Sequence, residues 1–356
     1  MLARLVFRMV LRLPAPLLLW IAGGTPAGHG DGVPVDPRAR FHAWFVTRFR
    51  RPSSPDPASA RRLRLVSLFL LDGPPVPMRG CRDLTFPGPA GPLRARLYTP
   101  SGCPTPSAAL IYLHFGGCVI GDLSSCHTAC TILADHAGCQ VLSVDYRLAP
   151  EHRYPAALLD TIAAYRWLRA EAGRFGIDPG RIGIGGDSAG GYLTAAACLH
   201  AMTAGEPLPK VQLLIYPVLE MDRSRVPPTP HDDCYPLTRA DMDWFAGLYV
   251  NHPDDAADPL CSVGRARMLA GMPPTILVQA GHDLLFDEGA RFADRLAAEG
   301  VPLTRLVYPT LPHAFTAMSG ALPAARAALV EIAGALGDAL RRPGQTAEPA
   351  IPPEIP

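Results

Sequence analysis

The sequence predicts an α/β fold: a mostly parallel central sheet with helices on both faces and a helical cap. Three observations predict it. Continuous apolar runs at residues 108–113, 140–145, 181–185 and 211–216 have the pattern of strands buried on both faces. Helical segments at 126–137, 156–175 and 190–203 lie between them, so strand and helix alternate. The third run leads through Gly186-Asp187-Ser188-Ala189-Gly190 into the helix-like stretch 192–199. Strand, sharp turn and helix in that order place a serine hydroxyl on an exposed, strained corner, with small neighbours that let strand and helix approach closely.

Taken in order, the chain opens on residues 2–13, where Leu2, Leu5, Val6, Met9, Val10 and Leu13 share one helical face and Arg4, Arg8 and Arg12 another. The arginines and the apolar stretch 17–22 resemble the charged and apolar regions of a signal peptide. Pro14 and Pro16, just ahead of that stretch, break the apolar region, residues 25–27 make a poor cleavage site, and no apolar span reaches the ~20 residues of a membrane helix. The favoured reading is an amphipathic cap helix lying on the protein, with a membrane-surface role as the lesser alternative. A Gly/Pro-rich break at 23–34 precedes a helix at 37–49, a Pro/Ser linker at 51–55 and a helix at 58–71.

From Cys81 the period changes to two, and residues 82–86 and 93–98 read as an antiparallel pair around a Gly/Pro turn. The four buried strands follow. Two more, at 275–279 and 304–308, enclose a helix at 286–299, and a last helix spans 323–341. Between 220 and 259 the strand pattern lapses into Pro-rich loop and one helix, 239–250, too long for an ordinary connection. With the N-terminal helices it is expected to form a lid over the carboxyl ends of the strands, where open parallel sheets bind ligands. The expected division is an N-terminal helical cap segment at 1–55, core at 56–220, cap insertion at 221–258, core at 259–341, and a disordered tail at 342–356.

Composition narrows the function. In 356 residues, 48% of them hydrophobic, there is material for a large core. Lys+Arg 33 against Asp+Glu 32 leaves no basic excess for a nucleic-acid partner, and a small neutral ligand fits better. Nine cysteines without repeating Cys-x-x-Cys or Cys/His spacing indicate neither a disulfide framework nor a metal site, and read as reduced thiols in a cytoplasmic protein.

A serine becomes nucleophilic only when a base takes its proton, and the base needs an acid to hold its tautomer. Asp283 directly follows the predicted strand 275–279, and His313 lies in a loop after the next strand, giving the order Ser188, Asp283, His313 expected of a strand–turn–helix nucleophile. Asp283 could instead cap the helix that follows it, and His313 could be an ordinary loop histidine. Asp287 and Glu288 rival Asp283, but their place suits the first turn of a helix. The loop 113–122 after a buried strand offers Gly116 and Gly117 as oxyanion N–H donors, and Ala189 a third.

Four stretches together, His114-Phe115-Gly116-Gly117, residues 145–157 (Asp-Tyr-Arg-Leu-Ala-Pro-Glu-His-Arg-Tyr-Pro-Ala-Ala), residues 186–191, and Asp283 with His313, carry a resemblance. From about residue 80 to 340 the chain resembles the hormone-sensitive-lipase-like (bacterial family IV) carboxylesterases. That resemblance implies the α/β-hydrolase fold, a helical cap, and cofactor-free and metal-free hydrolysis of short- to medium-chain esters through an acyl-enzyme. It gives the long 145–157 stretch a bracing role, with Arg147 and Glu151 available for ion pairs. Phe115 stands where the family has the first glycine of His-Gly-Gly-Gly, Leu284 where it has proline after the acid, and Ala314 where it has glycine after the histidine. Phe115 and Cys118 are accordingly the expected substrate-binding residues beside the donors. An amidase or deacetylase of the same fold and a receptor-like binding protein are the alternatives; His313 argues against the receptor, whose histidine is lost. A homodimer stays open.

Overall fold

The computed structural model describes residues 2–23, 32–49 and 56–342. All but the first residue of the expected disordered tail lies outside them. The strands are β1 (Gly80–Gly88), β2 (Gly91–Thr99), β3 (Ser107–Leu113), β4 (Gln140–Asp145), β5 (Ile177–Asp187), β6 (Gln212–Ile215), β7 (Thr275–His282) and β8 (Leu303–Pro312). They form one eight-stranded sheet in the order β1-β2-β4-β3-β5-β6-β7-β8. β1 with β2 and β2 with β4 pair antiparallel, and every later pairing is parallel. The helices are α1 (Leu2–Val10), α2 (Ala15–Ile21), α3 (Pro37–Phe49), α4 (Pro57–Leu71), α5 (His127–Ala137), α6 (Ala156–Ala170), α7 (Ala189–Thr203), α8 (Arg239–Tyr249), α9 (Pro253–Ala257), α10 (Phe286–Ala298) and α11 (Pro323–Arg341).

Every residue of β3 is buried, and its side chains alternate between two cores. Ala109, Ile111 and Leu113 pack with residues of α6, α7 and α10, and Ala108, Leu110 and Tyr112 with residues of α5 and α11. That is why the strand reads as an unbroken apolar run: with period 2, a strand covered on both faces has no solvent side to make polar.

Several expectations change, and the insertion holds two helices, α8 and α9, where one was expected. The single helix at 156–175 ends as α6 at Ala170, and a 3₁₀ turn, Ala172–Phe175, closes on Gly176 at φ +63°. The N-terminal helix at 2–13 stops at Val10, and α2, not foreseen as a helix, begins after Pro14 with prolines at its start. Proline is tolerated there because the first-turn N–H groups have no intrahelical partner. β5 begins four residues earlier than expected.

Polar anchors fix the loops around the carboxyl ends of the strands. Arg61 of α4 forks onto Glu151 at 2.9 and 2.8 Å and bonds the carbonyls of Val119 and Ala149 at 2.9 and 3.0 Å. Arg147 grips Asp160 of α6, whose side chain is fully buried. The bracing role expected of 145–157 therefore rests on these two ion pairs. Phe7 of α1 packs on Phe41 and Phe45 of α3, and His42 meets Tyr235 of the insertion edge-on at 5.1 Å.

Candidate active site

The site is assembled where β5 ends. Ser188 follows Asp187 directly and adopts φ 56°, ψ −114°, a strained conformation for a residue with a Cβ. Its backbone N–H donates to Ile215 O of β6 at 2.9 Å, and its carbonyl accepts Tyr192 N at 3.0 Å to start α7. The corner also needs small residues beside it. A Cβ at Gly190 would stand 1.9 Å from Leu113 O of β3, and one at Gly186 2.4 Å from the same atom. Gly-x-Ser-x-Gly is thus a packing requirement here: β3 runs directly against the turn.

Asp283 and His313 come from the ends of β7 and β8. His313 Nδ1 lies 2.6 Å from Asp283 Oδ2, and Nε2 3.0 Å from Ser188 Oγ. The other Asp283 oxygen accepts Leu285 N at 2.9 Å. All three residues are buried. A carboxylate is acceptor-only, so the His313 hydrogen sits on Nδ1 and Nε2 presents its lone pair to the serine. The rivals fall away by position. Asp287 is exposed, and Glu288 is committed to Leu219 N at 2.9 Å and Arg223 Nη1 at 3.2 Å. His282 turns to Val33 O at 3.0 Å.

The loop 113–122 is held from behind. His114 Nδ1 donates to Phe115 O at 2.8 Å, and Tyr146, stacked on the imidazole at 4.2 Å, donates to His114 O at 2.7 Å. In a planar trans peptide the carbonyl and the next N–H point opposite ways, so gripping Phe115 C=O turns the Gly116 N–H away from the imidazole. Gly116 O accepts Val119 N and Ile120 N, both at 3.0 Å, which curls the loop. Gly117 sits at φ +62°, and a Cβ there would meet the Phe245 ring of α8 at 2.3 Å. Phe115 and Cys118 are both buried, Phe115 among the side chains of the core cluster that holds Tyr216 and Phe315. Burial pushes the His114 pKa down to about 4. It also raises the Asp187 carboxyl above the usual range, against the Thr316 and Tyr216 hydroxyls that donate to it.

The packing of Phe245 on Gly117 and the Tyr146 brace were not read from the sequence. Phe245 carries no motif, and Tyr146 stands out only as part of the 145–157 stretch. Among the described residues no group of three or more His, Cys, Asp or Glu could hold a metal ion.

A serine on a strand–helix corner, backed by a histidine and a buried aspartate on an eight-stranded α/β sheet, defines a serine hydrolase. Residues 110–317 match the alpha/beta hydrolase fold family. The esterase LipI of Mycobacterium tuberculosis is 40% identical over 251 residues, covering 68% of this chain and 77% of LipI. An ethyl acetate hydrolase of Pseudomonas putida is 36% identical over 248 residues, 68% of this chain and 78% of that protein. The solved ester-hydrolase EH1AB1 from the metagenome of Lake Arreo superimposes with a TM-score of 0.80 at 36% identity, over 85% of this chain and 98% of that one. The chain belongs to the hormone-sensitive-lipase-like, bacterial family IV carboxylesterases of the α/β-hydrolase superfamily. It is a carboxylic ester hydrolase of the serine type acting on a small-molecule ester.

Proposed function

We propose that Ser188, His313 and Asp283 carry out the hydrolysis, with Gly116, Gly117 and Ala189 N–H groups as the oxyanion hole, on esters with short to medium acyl chains. The contacts of His313 with both partners, 2.6 and 3.0 Å, carry this reading. As Ser188 Oγ attacks the ester carbonyl carbon, its proton passes to His313 Nε2 and the carbonyl π pair moves to oxygen, where the N–H donors meet the charge. Collapse breaks the acyl–oxygen bond; the leaving alkoxide takes the proton from Nε2, and Ser188 holds the acyl group. Water then attacks, giving its proton to Nε2, and the acid departs as Ser188 Oγ recovers it. Asp283 stays ionised throughout and stabilises the imidazolium.

The chain-length part rests on Phe245, whose ring the insertion seats on Gly117 of the donor loop, with the Trp244 ring 5.0 Å from Phe245. A relative named for ethyl acetate points the same way. This contact, and that of His42 with Tyr235, support the reading of the N-terminal helices and the insertion as one cap. Phe115 and Cys118, being buried, would shape the substrate pocket from behind its surface. A cytoplasmic location is supported by nine free cysteines, seven of them buried. No described helix is long and apolar enough to cross a membrane.

The test is hydrolysis of p-nitrophenyl esters from acetate to palmitate by wild type and Ser188→Ala. Serine-dependent turnover with its maximum at short or medium chains is expected. A maximum at palmitate would overturn the chain-length part, and equal turnover by Ser188→Ala the whole assignment.

A further inference from the structure

A second carboxylate stands behind the histidine. Asp187, the last residue of β5 and the neighbour of Ser188, is completely buried, and the described structure gives it no ion-pair partner. Its Oδ2 accepts the Thr316 hydroxyl at 2.6 Å and the Tyr216 hydroxyl at 3.1 Å. Those two hydroxyls lie 2.7 Å apart, and Thr316 N also donates to Tyr216 Oη at 3.4 Å. Cys126 Sγ approaches the other oxygen at 3.8 Å.

Both hydroxyl partners lead to His313. Thr316 lies three residues beyond it, in the 3₁₀ turn Phe315–Met318, which follows Ala314 in the left-handed region at φ 57°. Tyr216, just past β6 and itself at φ 35°, lays its ring 4.7 Å from the imidazole. Leaving a carboxylate unpaired in a core costs several kcal/mol, so such a group persists where hydroxyls hold it. These hydroxyls belong to the segment that carries His313 and to the ring against it.

We propose that Asp187, acting through Thr316 and Tyr216, is a positioning residue that sets the His313 imidazole against Ser188. The proposal rests on His313 being the general base. It assigns the acidic residue of the elbow a task beyond shaping the turn: it ties the nucleophile's strand to the histidine's loop, two pieces of the triad that no ladder hydrogen bond joins. Because the shorter of the two links is a single threonine hydroxyl, at 2.6 Å, it is open to a nearly isosteric cut, and misplacement of a catalytic group by about 1 Å can cost on the order of 100-fold.

The experiment compares Thr316→Val, Thr316→Ser and His313→Ala with wild type on p-nitrophenyl butyrate, with the far-downfield imidazole proton of His313 followed by NMR. Thr316→Val is expected to lose roughly 10- to 100-fold in kcat with KM within about twofold, and to shift or broaden that proton signal. Thr316→Ser, which restores the hydroxyl, is expected to recover most of kcat and the signal. Wild-type kcat in Thr316→Val, or equal loss in Thr316→Ser, overturns the proposal while an inactive His313→Ala leaves the base assignment standing. An active His313→Ala overturns the assignment itself. Should Thr316→Val fail to fold, Tyr216→Phe, which deletes only the second hydroxyl, is read in its place: a fall in kcat at constant KM supports the positioning role, and no change overturns it.

Discussion

His313 Nε2 lies 3.0 Å from Ser188 Oγ although the two residues are 125 positions apart, and the other nitrogen of the same ring lies 2.6 Å from Asp283. One imidazole therefore joins the ends of β5, β7 and β8. Its tautomer follows from the aspartate, which can only accept, so the lone pair faces the serine.

Asp283→Asn should lower kcat by on the order of 10⁴, since an amide in place of the carboxylate favours the wrong tautomer. Asp287→Asn should leave kcat within about twofold, because Asp287 is exposed on the first turn of α10. Steady-state kinetics on the two variants separate them. The reverse pattern would move the acid to Asp287.

Gly117→Ala should lower kcat/KM at least about tenfold. The left-handed φ alone costs an alanine ~1–2 kcal/mol, and its Cβ would collide with the Phe245 ring. The double variant Gly117→Ala/Phe245→Ala should regain part of the loss if the ring is the obstacle. No recovery would place the whole effect in backbone strain.

The His114 pKa, pushed to about 4 by burial, makes stability fall in acid. The folded ring resists protonation because Nε2 has no partner and a proton there would bury an unmatched charge. The unfolded chain binds that proton from about pH 6.5 downward. Between pH 6.5 and 4 the unfolded state holds more protons, so unfolding becomes easier as pH falls, by about 3 kcal/mol over the whole window. Urea midpoints across that range should show a steeper acid loss in wild type than in His114→Gln. Parallel curves would remove His114 as the source.

Asp160→Ala should destabilise the fold by about 3–5 kcal/mol, because it leaves Arg147 without its buried partner. Thermal melting measures this directly. The loss should be larger than for Glu151→Ala, whose partner Arg61 keeps two backbone carbonyls and whose own side chain is half exposed.

Much of the site could be read in advance. The order Ser188, Asp283, His313 was visible because each residue follows a strand whose period shows locally, and the elbow glycines because their spacing is short. The histidine's second support was not visible. Asp187 stands in plain view beside the serine, but Thr316 and Tyr216 carry no local pattern, and only the folded chain brings the three hydroxyl and carboxyl oxygens together. Phe245 escaped notice for the same reason: a phenylalanine at one position of a helix says nothing of the glycine it will cover.

Periodicity, turn chemistry and proline placement act over a few residues, so the linear chain was enough to establish the alternating strands and helices, the nucleophile corner and the three triad candidates. It was not enough to end α6 at Ala170, where a turn closing on Gly176 competes with helix continuation. The partners of each buried polar group depend on which strands lie side by side. Placing β5 between β3 and β6 sets Leu113 O against Gly190 and Ile215 O on the Ser188 N–H. Those contacts join residues far apart in the chain, and the burial that makes their hydrogen bonds obligatory exists only once the sheet is covered on both faces.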